Sequence, residues 1–364
     1  MRTFASTILI GSTLLSLTAI GCLGESEPTS DEQDIVGGVD AKSAKLDAIG
    51  TVGTKDFDGN YDFFCTATLI GPKVVLTAKH CATYGPTETP RLANEKIYFA
   101  VGADVKAPKQ VIEAVDVLLA PIDEGGFIQY GSDVAIYILA EPVKDVTPMP
   151  WAKAHIDAAS VGKTFTAVGY GVQDRDRTTG TRKAGTLTLQ AVEGQPLHAL
   201  FPTKEDLYAH MAKYETKQWV EANTARLDEF YDFALLAGHE AYLGAGKNDA
   251  QPCSGDSGGP LVQNIDGKLT VVAVVSGSFK GATYPCSTVG EAYATLGDTV
   301  QPMIDLATGP CEGIPVEGRC EQFTTAVRCV SDEEGPQKVT RTDCSGLGQA
   351  CGIVDGVAAC VDPT

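Results

Sequence analysis

The chain carries little basic charge for its length. Its 364 residues include 28 Lys and Arg against 47 Asp and Glu, which gives a formal net charge of -19 at pH 7. Proteins that follow a nucleic-acid backbone need clustered Lys and Arg to neutralise its phosphates. The sequence has no such patch, and this argues against nucleic acid as a partner.

Histidine is also scarce, and its positions exclude one class of hydrolase. Ser257 lies in the stretch QPCSGDSGGPLV, and residues 255–259 satisfy the G-x-S-x-G pattern of α/β-hydrolases. In that fold the triad histidine follows the serine. All five histidines precede Ser257, so the chain order excludes this fold: His80, His155, His198, His210 and His239.

The C-terminal segment lacks both the paired C-x-x-C spacing and the histidines of a zinc site. It holds six cysteines in a stretch too short and polar to build much of a core, so disulfides must supply its stability. We expect residues 309–364 to form a disulfide-rich module without metal, whose connectivity the sequence leaves open. The cysteines are Cys311, Cys320, Cys329, Cys344, Cys351 and Cys360.

The N-terminus reads MRTFASTILIGSTLLSLTAIGC, with one early positive charge at Arg2 and then an uncharged apolar run. This pattern is typical of an export signal. Its end, Ala19–Cys22, resembles a bacterial lipobox with Cys22 as the lipidated residue. We therefore expect residues 1–22 to be a signal peptide, and the chain to be a cell-surface or outer-membrane lipoprotein or a secreted protein. The alternatives are a plain secretory signal and an uncleaved anchor helix.

Cysteine parity agrees with lipidation of Cys22. The sequence has 11 cysteines, and an odd number would leave one unpaired thiol in an exported protein. Without Cys22 the remaining cysteines are even in number and can pair fully. The acidic stretch 23–34, LGESEPTSDEQD, has no apolar period and is expected to be a flexible tether or propeptide.

Short runs rich in β-branched and aromatic residues fill the next part of the chain. Examples are KVVLTA, DVAIYIL, FTAVGYG and LTVVAVVSGS, separated by Gly, Pro, Asn and Asp. Many short strands with turn signals predict an all-β sandwich or barrel.

Residues 203–238 break this pattern with apolar residues at helical spacing. Thr203 followed by Asp206 resembles a capping box. We expect two helices inserted into the second half of the β domain. They form either a surface insertion that packs on its own barrel, which helical apolar stripes favour, or a lid or specificity element over a cleft.

Four motifs occur in an order that identifies a family. IVGG occupies residues 35–38, VVLTAKHCA places His80 beside Cys81, GSDVAIYIL places Asp133 before a strand, and GDSGGP contains Ser257. Together they resemble the trypsin-like (chymotrypsin family) serine proteases over roughly residues 35–308. The resemblance implies two six-stranded antiparallel Greek-key barrels with the active site between them.

The resemblance also implies the catalytic roles. Ser257 is the nucleophile, His80 the general base and Asp133 the residue that orients His80, and they act through an acyl-enzyme. The N–H groups of Gly255 and Ser257 form the oxyanion hole. No cofactor is implied.

Further family positions concern structure and activation. Cys65 and Cys81 match one family disulfide, Cys253 and Cys286 another, and the segment Ser276 to Ser278 matches the strand that pairs with substrate. In the family, cleavage before the IVGG-type sequence frees an amino group that pairs with the aspartate before the nucleophile. Those positions here are Ile35 and Asp256, so the uncut chain is expected to be a zymogen.

Three positions depart from the most familiar members. Asp34 precedes Ile35 where trypsin-activated members carry Arg or Lys, so the activating protease is unidentified. Lys79, before His80, replaces a small residue and is expected to be exposed with no role in the triad. Gln251 matches the pocket floor, where specificity for Arg or Lys requires an aspartate, although Asp249 lies two residues away.

The pocket walls match Ser278 and Gly290. Without a carboxylate at Gln251, a basic substrate side chain would enter unpaired. We therefore expect an exported serine endopeptidase zymogen without Arg or Lys specificity, acting on protein or peptide substrates and held at a membrane by lipid. The alternative is a catalytically silent binding protein at the cell surface.

Overall fold

The computed structural model of the protein describes residues 38–84, 89–121, 132–152, 156–173, 177–246, 248–279, 281–284, 286–321, 323–331 and 337–362. The expected signal peptide with Cys22, the tether 23–34 and Ile35 lie outside these residues. Within the described ranges, no helix has the length and apolar composition needed to cross a bilayer.

The first half of the described chain forms a closed six-stranded barrel. It follows a two-residue strand, β1 (Val39–Asp40), and a 3₁₀ turn at Ala44–Leu46. The barrel strands are β2 (Ile49–Lys55), β3 (Tyr61–Gly71), β4 (Val74–Thr77), β7 (Tyr98–Val101), β8 (Gln110–Leu119) and β9 (Ala135–Leu139). They pair antiparallel in the order β2-β3-β4-β9-β8-β7.

Shorter elements connect β4 to β7. They are the helix α1 (Lys79–Ala82), the strands β5 (Thr83–Tyr84) and β6 (Thr89–Pro90), which pair with each other, and a 3₁₀ turn at Arg91–Ala93.

The barrel closes because its strands direct apolar side chains inward. Every residue of β9 is buried, and Ile49 and Val52 on β2 are fully enclosed. Gly50 allows β2 to approach β7 closely, since a Cβ there would lie 2.1 Å from the carbonyl oxygen of Ala100. The predicted strands in KVVLTA and DVAIYIL are therefore confirmed as core strands of this barrel.

The second half forms a second closed, antiparallel barrel of six strands. These are β10 (Thr164–Gly169), β11 (Lys183–Ala191), β12 (Glu240–Leu243), β13 (Pro260–Ile265), β14 (Lys268–Gly277) and β15 (Glu291–Thr295). They run in the order β11-β10-β13-β14-β15-β12, and the pairing of β11 with β12 closes the barrel. A 3₁₀ turn at Ala158–Ser160 precedes β10. The predicted architecture of two six-stranded barrels is confirmed.

A buried arginine fastens the start of the described chain to the second barrel. Strand β1 pairs with β11, and Arg182, at the entry to β11, is fully buried. Its guanidinium donates to the carbonyl oxygens of Ala41 at 2.8 Å and Leu46 at 2.7 Å, and it pairs with the carboxylate of Asp47 at 3.1 Å. The segment from β1 to Asp47 is thereby fixed against this barrel.

The predicted helical insertion lies between β11 and β12. Its helices are α3 (Lys204–Met211), α4 (Lys217–Ala222) and α5 (Thr224–Asp232), and a further helix, α2 (Pro196–Leu200), precedes them. The Thr203 hydroxyl accepts the Asp206 N–H at 3.2 Å while the Asp206 carboxylate accepts the Thr203 N–H at 3.0 Å, so the predicted capping box is present. The expected number of two helices in residues 203–238 was wrong, because the additional helix α4 is too short to show a helical period.

The insertion packs against the outside of the second barrel. Its buried residues include Leu207, Met211, Leu227 and Phe230, which share a cluster with Tyr242 of β12 and with Val289 and Ala292.

The C-terminal module follows helix α6 (Gln301–Thr308). A three-stranded sheet contains β16 (Arg319–Glu321), β17 (Thr325–Val330) and β18 (Lys338–Asp343), and a hairpin contains β19 (Ala350–Val354) and β20 (Val357–Val361). A 3₁₀ turn at Ser345–Leu347 joins them. The six cysteines pair as Cys311–Cys329, Cys320–Cys351 and Cys344–Cys360.

This module contacts the first barrel. Glu312 pairs with Lys73 at 3.3 Å, and Arg319 forms an ion pair with Asp116 of β8. Both partners are partly exposed, so these pairs add orientation more than stability.

Candidate active site

Asp133 and His80 meet on the first barrel, one just before β9 and the other in α1. The His80 ring carries its proton on Nδ1 when that atom faces a carboxylate, and Nδ1 lies 2.8 Å from Asp133 Oδ2. The other carboxylate oxygen accepts the backbone N–H of His80 at 2.9 Å. These two bonds fix the ring, and they leave Nε2 as the nitrogen that can accept a proton.

The Asp133 carboxylate is held as an anion although it is almost fully buried, with 1% of its surface exposed. Burial alone raises its pKa, but attraction to His80 and hydrogen bonds from His80 and Ser276 outweigh that effect, so the pKa lies below its usual range. The Ser276 hydroxyl donates to Asp133 Oδ2 at 2.8 Å. Ser276, which the sequence predicted only as a substrate-pairing residue, therefore supports Asp133 from the second barrel.

The loop of Ser257 bridges the two barrels. The Ser257 carbonyl oxygen accepts the N–H of Thr66 on β3 at 2.9 Å, and the Gly258 N–H donates to Val275 of β14 at 2.8 Å. A Cβ at Gly258, where φ is +75°, would lie 2.1 Å from the Thr77 hydroxyl. The loop therefore packs directly on the segment that leads into His80, and Ser257 itself is half-buried.

Gly255 has a backbone conformation that suits the predicted oxyanion hole. Its φ is +99°, which side chains disfavour, and a Cβ would lie 2.9 Å from the Gly171 Cα. Its carbonyl oxygen accepts the Thr66 hydroxyl at 2.8 Å, which fixes the neighbouring peptide groups. Within the described part of the chain, the N–H groups of Gly255 and Ser257 donate to no other group.

Asp256 points away from this hole into the second barrel, where it is 2% exposed. Its carboxylate accepts the N–H of Gly171 at 2.8 Å and that of Cys253 at 2.9 Å. A Cβ at Gly169 or Gly171 would lie 2.0 Å or 2.6 Å from the Asp256 carboxylate atoms, which explains the glycines of the GYG stretch. Ile35, the predicted partner of Asp256, lies outside the described residues.

The predicted pocket residues lie at the rim of the second barrel. Gly290, where φ is +92°, has no room for a side chain, because a Cβ would lie 2.7 Å from the Tyr242 ring. Gln251 Oε1 accepts the hydroxyl of Tyr284 at 3.1 Å. The Ser278 hydroxyl oxygen is buried, and the described residues give it no hydrogen-bond partner.

Asp249, the carboxylate near Gln251 in the sequence, is engaged by its own loop and by strand β11. Its oxygens accept the Thr188 hydroxyl at 2.9 Å and the Gly246 N–H at 3.0 Å. Each oxygen of Asp249 therefore already accepts a hydrogen bond within the protein.

Both disulfides implied for this domain are present, as Cys65–Cys81 and Cys253–Cys286. Cys65, His80 and Cys81 bring three ligand-type atoms together. The two sulfurs are bonded to each other and are not thiolates, so this group does not offer a metal the ligands it needs.

Lys79 does not lie where the sequence placed it. Its side chain is fully buried, and Nζ donates to the carbonyl oxygen of Pro121 at 3.2 Å. The expectation of an exposed lysine was wrong, because the short helix α1 packs its first residue against the barrel. The apolar residues around Lys79 in VVLTAKHCA were the sequence feature that could have indicated its burial.

Two further residues near the pocket were not found from the sequence. They are Tyr284, which contacts Gln251, and Glu215 of the insertion, whose carboxylate accepts backbone N–H groups of residues 283 and 284. No motif marks either residue, because both contacts join distant parts of the chain.

Comparison with known proteins supports the family resemblance and the fold. Residues 35–216 match the family model described as Trypsin, a range that includes His80 and Asp133 and ends before Ser257. Over 236 residues the chain is 28% identical to "Serine protease Hayan" of Drosophila melanogaster. That match covers 62% of the chain and 32% of Hayan, so the chain spans about a third of the length of this relative.

A solved structure described as "Structure of GrC" has a similar fold. It superposes with a TM-score of 0.50 at 18% identity, over 75% of this chain and 99% of that chain. At this identity the likeness concerns the fold alone.

Proposed function

We propose, since this chain belongs to the trypsin family of serine proteases, that it is an exported serine endopeptidase made as a zymogen. The observation that carries the proposal is the bond of 2.8 Å between His80 and the buried carboxylate of Asp133, next to the Ser257 loop. The proposed protease domain spans residues 35–308, followed by the C-terminal module at 309–364.

In the proposed reaction, Ser257 Oγ attacks the scissile carbonyl carbon while His80 Nε2 takes the hydroxyl proton. The oxyanion that forms accepts the N–H groups of Gly255 and Ser257. His80 then gives the proton to the leaving amine, and the C–N bond breaks to leave an acyl ester on Ser257. A water molecule attacks this ester with His80 again as base, which releases the acid and restores Ser257. Asp133 keeps its charge throughout and stabilises the imidazolium.

The proposed activation step is cleavage between Asp34 and Ile35 by an unidentified protease. Asp40, Lys183 and Gly169 lie in one row across β1, β11 and β10, and Gly169 contacts Asp256. With about 4.8 Å between strands, Asp40 is roughly 10 Å from Gly169. The five-residue step from Ile35 to Asp40 can span up to about 16 Å when the chain is extended. A new amino group at Ile35 can therefore reach Asp256 while the chain from β1 onward stays fixed.

A serine-directed phosphonate separates this proposal from its alternative, a silent binding protein. The full chain is treated before and after cleavage at Ile35, and adduct formation is followed by mass spectrometry. We expect the phosphonate to modify Ser257 rapidly only after cleavage. Absence of any adduct in the cleaved protein would favour the binding protein.

We predict that substrates with Arg or Lys at the cleaved position are not preferred, because Gln251 offers no charge to pair with them. An unpaired buried charge lowers kcat/KM by about tenfold or more relative to a neutral side chain of similar size. A peptide-library profile of the cleaved enzyme, followed by kcat/KM for matched Gln and Arg peptides, measures this difference.

A marked preference for Arg peptides would contradict that prediction, and its source would then be Asp249, two residues from Gln251, or Glu291, next to Gly290. Glu291 is 2% exposed and directly follows Gly290, a predicted wall of the pocket. Loss of the preference in Glu291→Gln, but not in Asp249→Asn, would identify the responsible carboxylate.

We further predict that activation releases the enzyme from the membrane. If Cys22 carries several acyl chains, the anchor is stable, and its covalent link to the protease is the stretch 23–34. That stretch contains no cysteine, so no disulfide retains it after cleavage at Ile35. Cell fractionation with an active-site label should find labelled protein, beginning at Ile35, in the soluble fraction.

Two outcomes of the fractionation would count against release. Labelled protein that begins at Ile35 but stays with membranes would show that another part of the chain retains it. Labelled protein that still carries Cys22 would also contradict the zymogen proposal.

A further inference from the structure

The helical insertion packs on the chain that follows the predicted substrate-pairing strand. Phe279, one residue after Ser278, is buried, and its ring stacks on Phe230 with centroids 4.7 Å apart. Trp219 packs edge-on against Phe279 at 6.3 Å, and the guanidinium of Arg226 lies 4.8 Å from the centroid of the same ring. The insertion therefore surrounds Phe279, the residue that directly follows the predicted pocket residue Ser278.

A buried carboxylate of the insertion holds the next few residues. Glu215 is 6% exposed, and its Oε1 accepts the N–H of Thr283 at 2.9 Å and that of Tyr284 at 3.2 Å. A Cβ at Gly281 would lie 2.0 Å from the same oxygen, so glycine allows the close approach. Hydrogen bonds to an anion are stronger than neutral ones, and they offset part of the desolvation of this buried charge.

The held segment reaches the floor of the candidate pocket through Tyr284. The ring of Tyr284 lies 5.3 Å from that of Tyr214 in the insertion, and its hydroxyl donates to Gln251 Oε1 at 3.1 Å. Beyond the disulfide at Cys286, the His210 ring contacts the carbonyl oxygen of Thr288 at 3.0 Å. The insertion thus contacts this part of the chain on both sides of the disulfide.

We propose that Glu215 is a positioning residue for substrate specificity, which holds residues 281–284 so that Tyr284 fixes the side chain of Gln251 at the pocket floor. The proposal rests on the proposed peptidase function and on the assignment of Gln251 to the pocket. It makes the insertion a specificity element in addition to a surface insertion that packs on its own barrel.

The orientation of Gln251 is the property that this arrangement controls. A glutamine side chain offers one accepting oxygen and two donor N–H groups. The Tyr284 hydroxyl donates to the Gln251 side-chain oxygen. The two amide N–H groups of Gln251 can therefore face a substrate. The pocket then favours side chains that accept hydrogen bonds, such as the amides of Gln and Asn.

The test compares Glu215→Ala with Glu221→Ala, an exposed acidic residue of the same insertion whose side chain is 66% accessible. For each activated variant, kcat and KM are measured on peptides that differ at the cleaved residue. Diisopropyl fluorophosphate, which is too small to depend on the pocket wall, reports separately on Ser257. Glu215→Gln, which keeps an accepting oxygen, serves as the conservative variant.

In Glu215→Ala we expect KM for the best peptides to rise about tenfold and the ranking of cleaved residues to change. Inactivation by the fluorophosphate should stay within about threefold of the wild-type rate. Glu215→Gln should lie between the two, and Glu221→Ala should match the wild type. An unchanged ranking in Glu215→Ala would overturn the proposal.

Two further results keep this test distinct from the proposed function. If the fluorophosphate modifies Ser257 in no protein, including the wild type, the peptidase function itself has failed. If Glu215→Ala does not fold, Tyr284→Phe replaces it, because this change keeps the ring and removes only the hydroxyl bonded to Gln251. A changed ranking in Tyr284→Phe supports the proposal, and an unchanged one overturns it.

Discussion

Replacement of Ser257 with alanine is expected to reduce peptide hydrolysis by on the order of 10⁴-fold or more, because it removes the atom that forms the acyl ester. The fold should remain intact. Ser257 itself contacts the first barrel through its backbone, since its carbonyl oxygen accepts the Thr66 N–H at 2.9 Å. Initial rates on the best library peptide, with far-ultraviolet circular dichroism of the same samples, measure both expectations.

Ser254→Ala is the matched control for Ser257→Ala. Ser254 lies in the same loop three residues earlier, and its side chain is exposed. We expect this variant to retain wild-type turnover and to react with the phosphonate. Comparable activity in Ser257→Ala and Ser254→Ala would remove Ser257 from the proposed mechanism.

The strands of the two barrels were predictable because the signal for each is local. LTVVAVVSGS predicts the strand observed as β14, Lys268–Gly277, since a run of β-branched residues suits a buried strand. The capping box of Thr203 and Asp206 was predictable for the same reason, because its partners are three residues apart. Closure of each barrel was inferred from the family resemblance and not from the strands themselves.

Features that depend on distant contacts could not be predicted in this way. The cysteines of the C-terminal module allow many pairings, and the observed Cys311–Cys329, Cys320–Cys351 and Cys344–Cys360 follow from how three strands and a hairpin pack. Helix α4 has six residues, which is shorter than two turns, so its apolar pattern carried no period.

The residues of the candidate site show the same difference between local motifs and distant contacts. His80, Asp133 and Ser257 were predicted because each lies in a motif, and the structure brings His80 and Asp133 into direct contact. Tyr284 and Glu215 lie in no motif, and their proposed role depends on contacts across 33 and 68 residues of sequence. Residues proposed to position the site were therefore harder to predict from the sequence than the proposed catalytic residues.

Asp133 is the second position at which a single change should have a large effect. Its Oδ1 accepts the His80 backbone N–H, and its Oδ2 accepts both the His80 ring at Nδ1 and the Ser276 hydroxyl. Each of these groups is a donor, and a carboxylate can accept from all of them. An asparagine has one accepting oxygen, so Asp133→Asn must place an NH₂ group against a donor.

In Asp133→Asn we expect kcat to fall on the order of 10⁴-fold at neutral pH, with KM little changed. If the amide NH₂ faces Nδ1, the ring must carry its proton on Nε2 instead, and it can no longer accept the proton of Ser257. Asparagine and aspartate are nearly equal in size, so far-ultraviolet circular dichroism should match the wild type.

Ser276→Ala is the matched control, because it removes one donor to Asp133 and leaves the tautomer of His80 as it is. We expect that control to lose about tenfold or less. Losses of similar size in Asp133→Asn and Ser276→Ala would mean that Asp133 supports the loop around His80 and does not set the state of its ring.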